Sequence, residues 1–249
     1  PVAHRDGDDW VLNGQKVFIS GVDEAEAVLV VGRTEDARTG KLQPALFVVP
    51  TDTPGFTARK IEMDIVSPDW QFEIFLDDVR LPADALIGES TDTALLQLFA
   101  GLNPERIMGA SFSIGIGRLA LRKAVDYANT RKVWDVPIGA HQAIQHPLAK
   151  AKVELELAKL MTQKAAWLYD SGDDMAAGEA ANMAKYAAAE AAVHAVDAAV
   201  HTHGGNGLTA EFGLGALVTA TRVGRIAPVS REMILNFVAQ HSLGLPKSY

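Results

Sequence analysis

The chain has 249 residues, of which 48% are hydrophobic and 22% charged, with a formal net charge of −8. That length suits one large domain or two modest ones, and the composition excludes a disordered chain. An acidic balance argues against a nucleic-acid surface, which needs a basic patch. No run reaches the ~18 apolar residues of a membrane span. The absence of cysteine excludes disulfides, thiolate nucleophiles and cysteine-ligated zinc. The opening Pro1-Val2-Ala3-His4-Arg5-Asp6 is polar, unlike a signal peptide, and lacks an initiator Met. The expectation is a cytoplasmic protein fragment that starts within a domain.

The first third reads as β. Trp10–Leu12 and Lys16–Ile19 flank Asn13-Gly14, a pair that predicts a hairpin turn because both residues tolerate positive φ. Ala27–Val31 and Ala45–Val49 are further strands. Thr53-Pro54-Gly55-Phe56 is a turn. Gln71–Leu76 is a half-buried strand, with Asp77-Asp78-Val79-Arg80-Leu81-Pro82 ending it. Short strands separated by turns predict a small sandwich or barrel over residues 1–90.

Beyond residue 90 the pattern becomes helical. Ile107, Ile114 and Leu121 recur every seven residues, with Ala110, Gly117 and Ala124 between them, marking one face of a long helix. Glu105 follows Pro104 and is placed in that helix's first turn, where the dipole favours acidic residues. His141–Asp170 is the second helix, with Lys150/Glu154 and Lys152/Glu156 as i,i+4 pairs and Pro147 kinking it or marking its first turn. Ser171-Gly172-Asp173 is a loop. Ala176–His201 is an alanine-rich third helix, and Ala210–Gly224 and Ser230–Ser242 are shorter ones. The expected fold is therefore α+β: a small β-sandwich or barrel, followed over 91–249 by an antiparallel four-helix-bundle-like domain.

Residue chemistry alone leaves the function open. Gly204-Gly205-Asn206-Gly207 serves as a helix C-cap, or lets a backbone approach a diphosphate or flavin closely. Arg131 closes one helix and Gln142 opens the next; either is a solvated end residue or part of an anion site. No GxGxxG follows a strand. His141, His146, His194, His201 and His203 lack metal-ligand spacing, so no metal is expected. Ser111 and Ser113 lack a nucleophile elbow. On residue chemistry alone, the chain is a β domain plus a helical bundle with a candidate anion site.

A collinear set of segments resembles the acyl-CoA dehydrogenases. Asp9-Trp10-Val11-Leu12-Asn13-Gly14-Gln15-Lys16-Val17-Phe18-Ile19-Ser20 resembles the opening of the family's middle domain. Phe72–Pro82 is similar to a later strand of that domain. Glu105-Arg106-Ile107, Tyr127-Ala128-Asn129-Thr130-Arg131, Pro137-Ile138, His141-Gln142 and the glycine loop follow in the family's order. The helical domain that precedes the middle domain in the family does not appear.

The resemblance implies FAD-dependent α,β-dehydrogenation of an acyl-CoA thioester, in which a carboxylate removes the α-proton while the β-hydrogen leaves as hydride to the flavin. It implies flavin contacts from Phe18 and Ser20. It assigns the FAD diphosphate and adenosine to Arg131, Trp134 and Gln142, and a neighbouring subunit's FAD to His201, Gly204 and Gly205. Ser230 and Glu232 stand at positions that meet adenosine, and Arg106 stands beside the base near the substrate. Many members carry the base where this chain has Pro228. Others place it on the earlier helix, at the position of Glu105, which is therefore the expected base. Pro228 also lacks the N–H that helps polarise the thioester carbonyl in the family. Asp135 stands in place of a glycine, and His201 in place of a common glutamine. Implied partners are the acyl-CoA, an electron-transfer flavoprotein, and further copies in a homodimer or homotetramer. Two other readings are a non-catalytic subunit completing a partner's FAD site, and an acyl-CoA or nitroalkane oxidase-like flavoenzyme.

Overall fold

The computed structural model describes residues 1–36, 38–65 and 67–247. It divides into two compact units, residues 1–99 and 100–249.

The first unit holds strands β1 (Val2–Asp6), β2 (Asp9–Ser20), β3 (Ala27–Glu35), β4 (Leu42–Pro50), β5 (Phe56–Ile61) and β6 (Gln71–Leu81). They pair in the order β4-β3-β1-β2-β6-β5. Only β1–β3 is parallel among these pairs. Alternate side chains enter a core around Phe47, Ile74 and Val79, where Trp10 meets Phe47 edge-on at 5.3 Å.

The Asn13-Gly14 hairpin turn is not formed. β2 runs straight through the pair, and the turn is made instead by Gly7 and Asp8, with Asp6 opposite Asp9. Gly7 takes φ 63°, which a two-residue turn requires. Asn13-Gly14 forms a bulge against β6. There Asn13 Nδ2 donates to Asp78 Oδ1 and Asp78 N donates to Asn13 Oδ1, both at 2.9 Å. This long-range exchange with β6 displaces the local turn. It also carries β6 through Asp77-Asp78 to Leu81, past its expected end. The turn at Thr53–Phe56 forms as expected: Phe56 N donates to Thr53 O at 3.0 Å, and Gly55 takes φ 87°.

The helical elements are α1 (Ala94–Thr130), a two-residue ladder of β7 (Lys132–Val133) and β8 (Val136–Pro137), α2 (Gln142–Asp170), α3 (Asp174–His203), α4 (Leu214–Ile226) and α5 (Arg231–Phe237). Glu105 does not lie in a first turn. α1 begins at Ala94, so Pro104 and Glu105 are interior. One missing N–H does not offset the helix formers that precede Pro104, and the dipole account of Glu105 falls. Pro147 is likewise interior to α2.

The predicted face of α1 is buried, with Ala110 and Ala124 at 0% exposure. α3 presents alanines to the same core, which permits close helix approach. A Cβ on Gly117 would stand 2.7 Å from Leu155 Cδ2 and 3.2 Å from Ala192 Cα. Asp173 caps α3 by accepting from Ala176 N at 3.1 Å, and Ser230 caps α5 by accepting from Met233 N at 3.3 Å. Both expected i,i+4 pairs on α2 form, Lys150–Glu154 at 3.7 Å and Lys152–Glu156 at 2.8 Å. Among the described residues no helix is long and apolar enough to cross a membrane.

Candidate functional site

Glu105 is exposed on α1, while the next residue, Arg106, is 5% exposed. Gly109 lies one turn beyond Glu105 on the same face. The segment joining α4 to α5 packs there, with Pro228 Cδ 3.9 Å from where a Cβ of Gly109 would be. Glu105 thus lies one turn along α1 from the Gly109 position on which Pro228 packs, although the two are far apart in sequence. The Ala227–Pro228 peptide is cis.

Behind this face lies a charged cluster. Arg106 Nη1 donates to the buried Asn103 Oδ1 at 3.1 Å. Burial pushes the Arg106 guanidinium below its usual pKa, against the pull of Glu105. Lys185 of α3 is 2% exposed, and its Nζ donates to the Val229 carbonyl. Burial, and next the Arg106 charge, lower its pKa to about 8, with Glu232 acting in the opposite sense. Glu190 of α3 receives Arg225 of α4 at 2.6 Å and Arg231 of α5 at 3.4 Å, and Arg231 also bonds Glu232 at 2.6 Å. That hydrogen bond from Arg231 is the main cause holding the Glu232 carboxyl below its usual range. These contacts fix Ser230 and Glu232 on the helix that follows Pro228.

Sequence reading missed Lys185. The signal was present: a lone lysine in phase with Ala181 and Ala188 on the inward face of an alanine helix.

A second group sits between α1 and α2. Arg131 is exposed just beyond α1, and Gln142 is exposed at the start of α2. Between β7 and β8, Trp134 and Asp135 form a two-residue turn with φ 54° and 65°. Trp134 is 83% exposed and meets His141 edge-on at 5.9 Å. A left-handed tryptophan stores ~1–3 kcal/mol of strain. The positive φ at Asp135 explains why glycine suits that position.

A third group closes α3. Gly204 takes φ 59°, and Cβ atoms at Gly204 or Gly205 would meet nothing within 4 Å, so this backbone is open to approach. His201 is exposed, with Nδ1 2.7 Å from Asp197 O. His203 is buried and stacks on Tyr127 at 4.3 Å. Asn206 Nδ2 donates to Tyr127 Oη at 3.0 Å, and Arg131 N to Tyr127 O at 2.8 Å. Tyr127 therefore brings the second and third groups to one end of the bundle. An indole, a guanidinium and a carboxamide beside an open glycine backbone form a donor set suited to a planar ring and a diphosphate.

Phe18 and Ser20 belong to the β unit. Phe18 sits in a second bulge of β2, with φ 59° and 60% exposure. A bulky aromatic there is a backbone outlier of the kind found at ligand sites. Ser20 Oγ accepts from Gln71 Nε2 at 2.8 Å.

Residues 1–79 match the family described as acyl-CoA dehydrogenase, middle domain, and residues 96–243 match acyl-CoA dehydrogenase, C-terminal domain. The chain is 69% identical over 247 residues to acyl-CoA dehydrogenase FadE12 of Mycobacterium tuberculosis, covering 99% of this chain and 63% of that protein. It is 36% identical over 248 residues to the mitochondrial short-chain specific acyl-CoA dehydrogenase of Bos taurus, covering 99% of this chain and 58% of that protein. The fold is similar to that of a glutaryl-CoA dehydrogenase from Mycobacterium smegmatis in complex with FADH2. That match has a TM-score of 0.87 and 28% identity, and covers 100% of this chain and 62% of the other. The chain thus spans about three-fifths of the length of the relatives it matches.

Proposed function

The chain belongs to the acyl-CoA dehydrogenase family, and from that premise we propose that the protein catalyses α,β-dehydrogenation of an acyl-CoA thioester with Glu105 as its base. The carrying observation is the neighbourhood of Glu105 and Pro228. Pro228, at one of the family's two base positions, packs on α1 one turn from Glu105, which stands at the other; this supports Glu105 as the carboxylate. It is exposed, as a group that must reach a substrate α-carbon has to be.

FAD, when bound, supplies the two-electron acceptor. Phe18 and Ser20 would pack on its flavin ring and meet the ring's edge, and Arg131, Trp134 and Gln142 would hold FAD diphosphate and adenosine, across a dimer interface as in many relatives. His201, Gly204 and Gly205 would reach the FAD of a neighbouring copy in a homodimer or homotetramer. Ser230 and Glu232 would meet adenosine. Arg106 acts near the substrate through its field, since its guanidinium is buried against Asn103. Glu105 takes up the α-proton at its carboxylate oxygen. Pro228 offers no N–H to the thioester carbonyl, a loss on the order of 10²–10³ in rate unless another donor substitutes. The reading includes an electron-transfer flavoprotein as acceptor and a cytoplasmic setting.

The test is an anaerobic titration of the flavin-loaded protein with a panel of acyl-CoAs. Bleaching of the oxidised flavin absorbance is the expected result. Stable bound flavin that no acyl-CoA bleaches overturns the reading.

A further inference from the structure

Among the described residues, Lys185 and Arg106 are the two cationic side chains that the fold buries. A buried ammonium is costly, and a methionine would fill similar space without that penalty. What Lys185 obtains is one contact, the Val229 carbonyl. Arg225 and Arg231, on either side of this segment, are tied to Glu190 of α3, but residues 228–230 themselves offer few handles. Pro228 has no N–H. Ser230 uses its hydroxyl to cap α5. Pro228 itself rests on α1 beside Gly109, one turn from Glu105. The segment is therefore pinned from two sides, by van der Waals contact with α1 and by a charge-assisted hydrogen bond from α3.

We propose that Lys185 is a positioning residue, whose ammonium sets the Val229 carbonyl and so fixes the wall that Pro228 presents beside Glu105. Its meaning for catalysis rests on the dehydrogenase reading; its meaning for the segment does not. The charges facing it are Arg106 from α1 and Glu232 from α5. Glu190, on its own helix, is engaged by Arg225 and Arg231. Because burial lowers the Lys185 pKa, an opening that returns the ammonium to water binds the proton more tightly, so the closed segment gains as the pH rises through about 8.

The experiment compares the flavin-loaded wild type with Lys185→Met and Lys185→Arg by amide hydrogen exchange and by flavin reduction. In Lys185→Met, exchange of the Met233 and Ile234 amides, which bond to Ser230, is expected to rise at least tenfold while α3 keeps its protection. The limiting rate of flavin reduction is expected to fall at least tenfold, with the half-saturating acyl-CoA concentration little changed. Lys185→Arg is expected to restore most of both. In the wild type, protection of the Met233 and Ile234 amides rises between pH 7 and pH 9 after correction for intrinsic exchange; in Lys185→Arg it stays flat. Unchanged exchange in Lys185→Met overturns the proposal, as does a raised exchange with no change in reduction rate. Should Lys185→Met fail to fold, wild-type protection that is indifferent to pH overturns it equally. If no acyl-CoA reduces the wild-type flavin, the dehydrogenase reading falls, and the exchange measurements still decide the role of Lys185 in the segment.

Discussion

The Tyr127 hydroxyl accepts a hydrogen bond from the Asn206 side-chain amide at 3.0 Å. Two motifs far apart in sequence thereby meet, the end of α1 that leads to Arg131 and the glycine loop that ends α3. The Tyr127 ring also stacks on His203 and meets Phe212 edge-on at 5.7 Å, so the hydroxyl is held at a fixed point.

Tyr127→Phe keeps the ring packing and removes this bond alone. A net loss of about 1 kcal/mol corresponds to roughly fivefold weaker FAD binding, if the loop's placement serves the cofactor. A flavin dissociation constant equal to that of the wild type would disconnect the loop from FAD.

Glu105→Gln preserves shape and removes the basic oxygen. Flavin reduction by the best acyl-CoA should slow by about 10²–10⁴-fold, the usual contribution of a positioned base, with FAD still bound. Stopped-flow absorbance measures it. Reduction at the wild-type rate would exclude Glu105 as the base.

Two glycines on α1 should respond oppositely to the same change. At Gly117 a Cβ meets Leu155 and the Ala192 backbone, so Gly117→Ala should destabilise by about 1–3 kcal/mol. At Gly115 a Cβ meets nothing within 4 Å, so Gly115→Ala should stabilise by about 1 kcal/mol through helix propensity. Urea unfolding of both variants checks the pair, and equal shifts would contradict the packing described.

The sign of the Lys185 effect on stability is fixed by its lowered pKa. The native state holds this proton only up to about pH 8, the unfolded chain up to about 10.5. Between those values the unfolded state binds more protons, so folding stability gains with rising pH. Below about 8 the full cost of burying the charge is present. The stability of the wild type relative to Lys185→Met should therefore climb from pH 7 to pH 10. Denaturant melts of both proteins at the two pH values measure it; a flat difference would mean that Lys185 is not buried as a charge.

The elements legible in the sequence were those whose signal is local. Alanine density and the spacing of Ala110, Ile114 and Leu121 marked the helices, and Pro54-Gly55 marked its turn. The misreadings arose where distant partners decide. Asn13-Gly14 carries the chemistry of a hairpin, but Asp78 claims it as a bulge. Pro104 carries the chemistry of a helix start, but helix formers before it carry α1 through. The candidate site shows the same division. Glu105, Arg131 and the glycine loop were candidates because short motifs there resemble a family in collinear order. Lys185 was not, because its task depends on Val229, which only the tertiary fold brings near.

The notch at Gly117 has a mechanical consequence. Two helix faces lined by alanine are smooth, and smooth faces resist separation better than they resist sliding along one another. Leu155, seated where Gly117 lacks a side chain, acts as a detent that sets how far along α1 the neighbouring helix rests. Filling the notch, or removing the leucine, would leave the helices packed yet free to settle a turn away. The register between α1 and α2 would then be lost without the bundle ever coming apart.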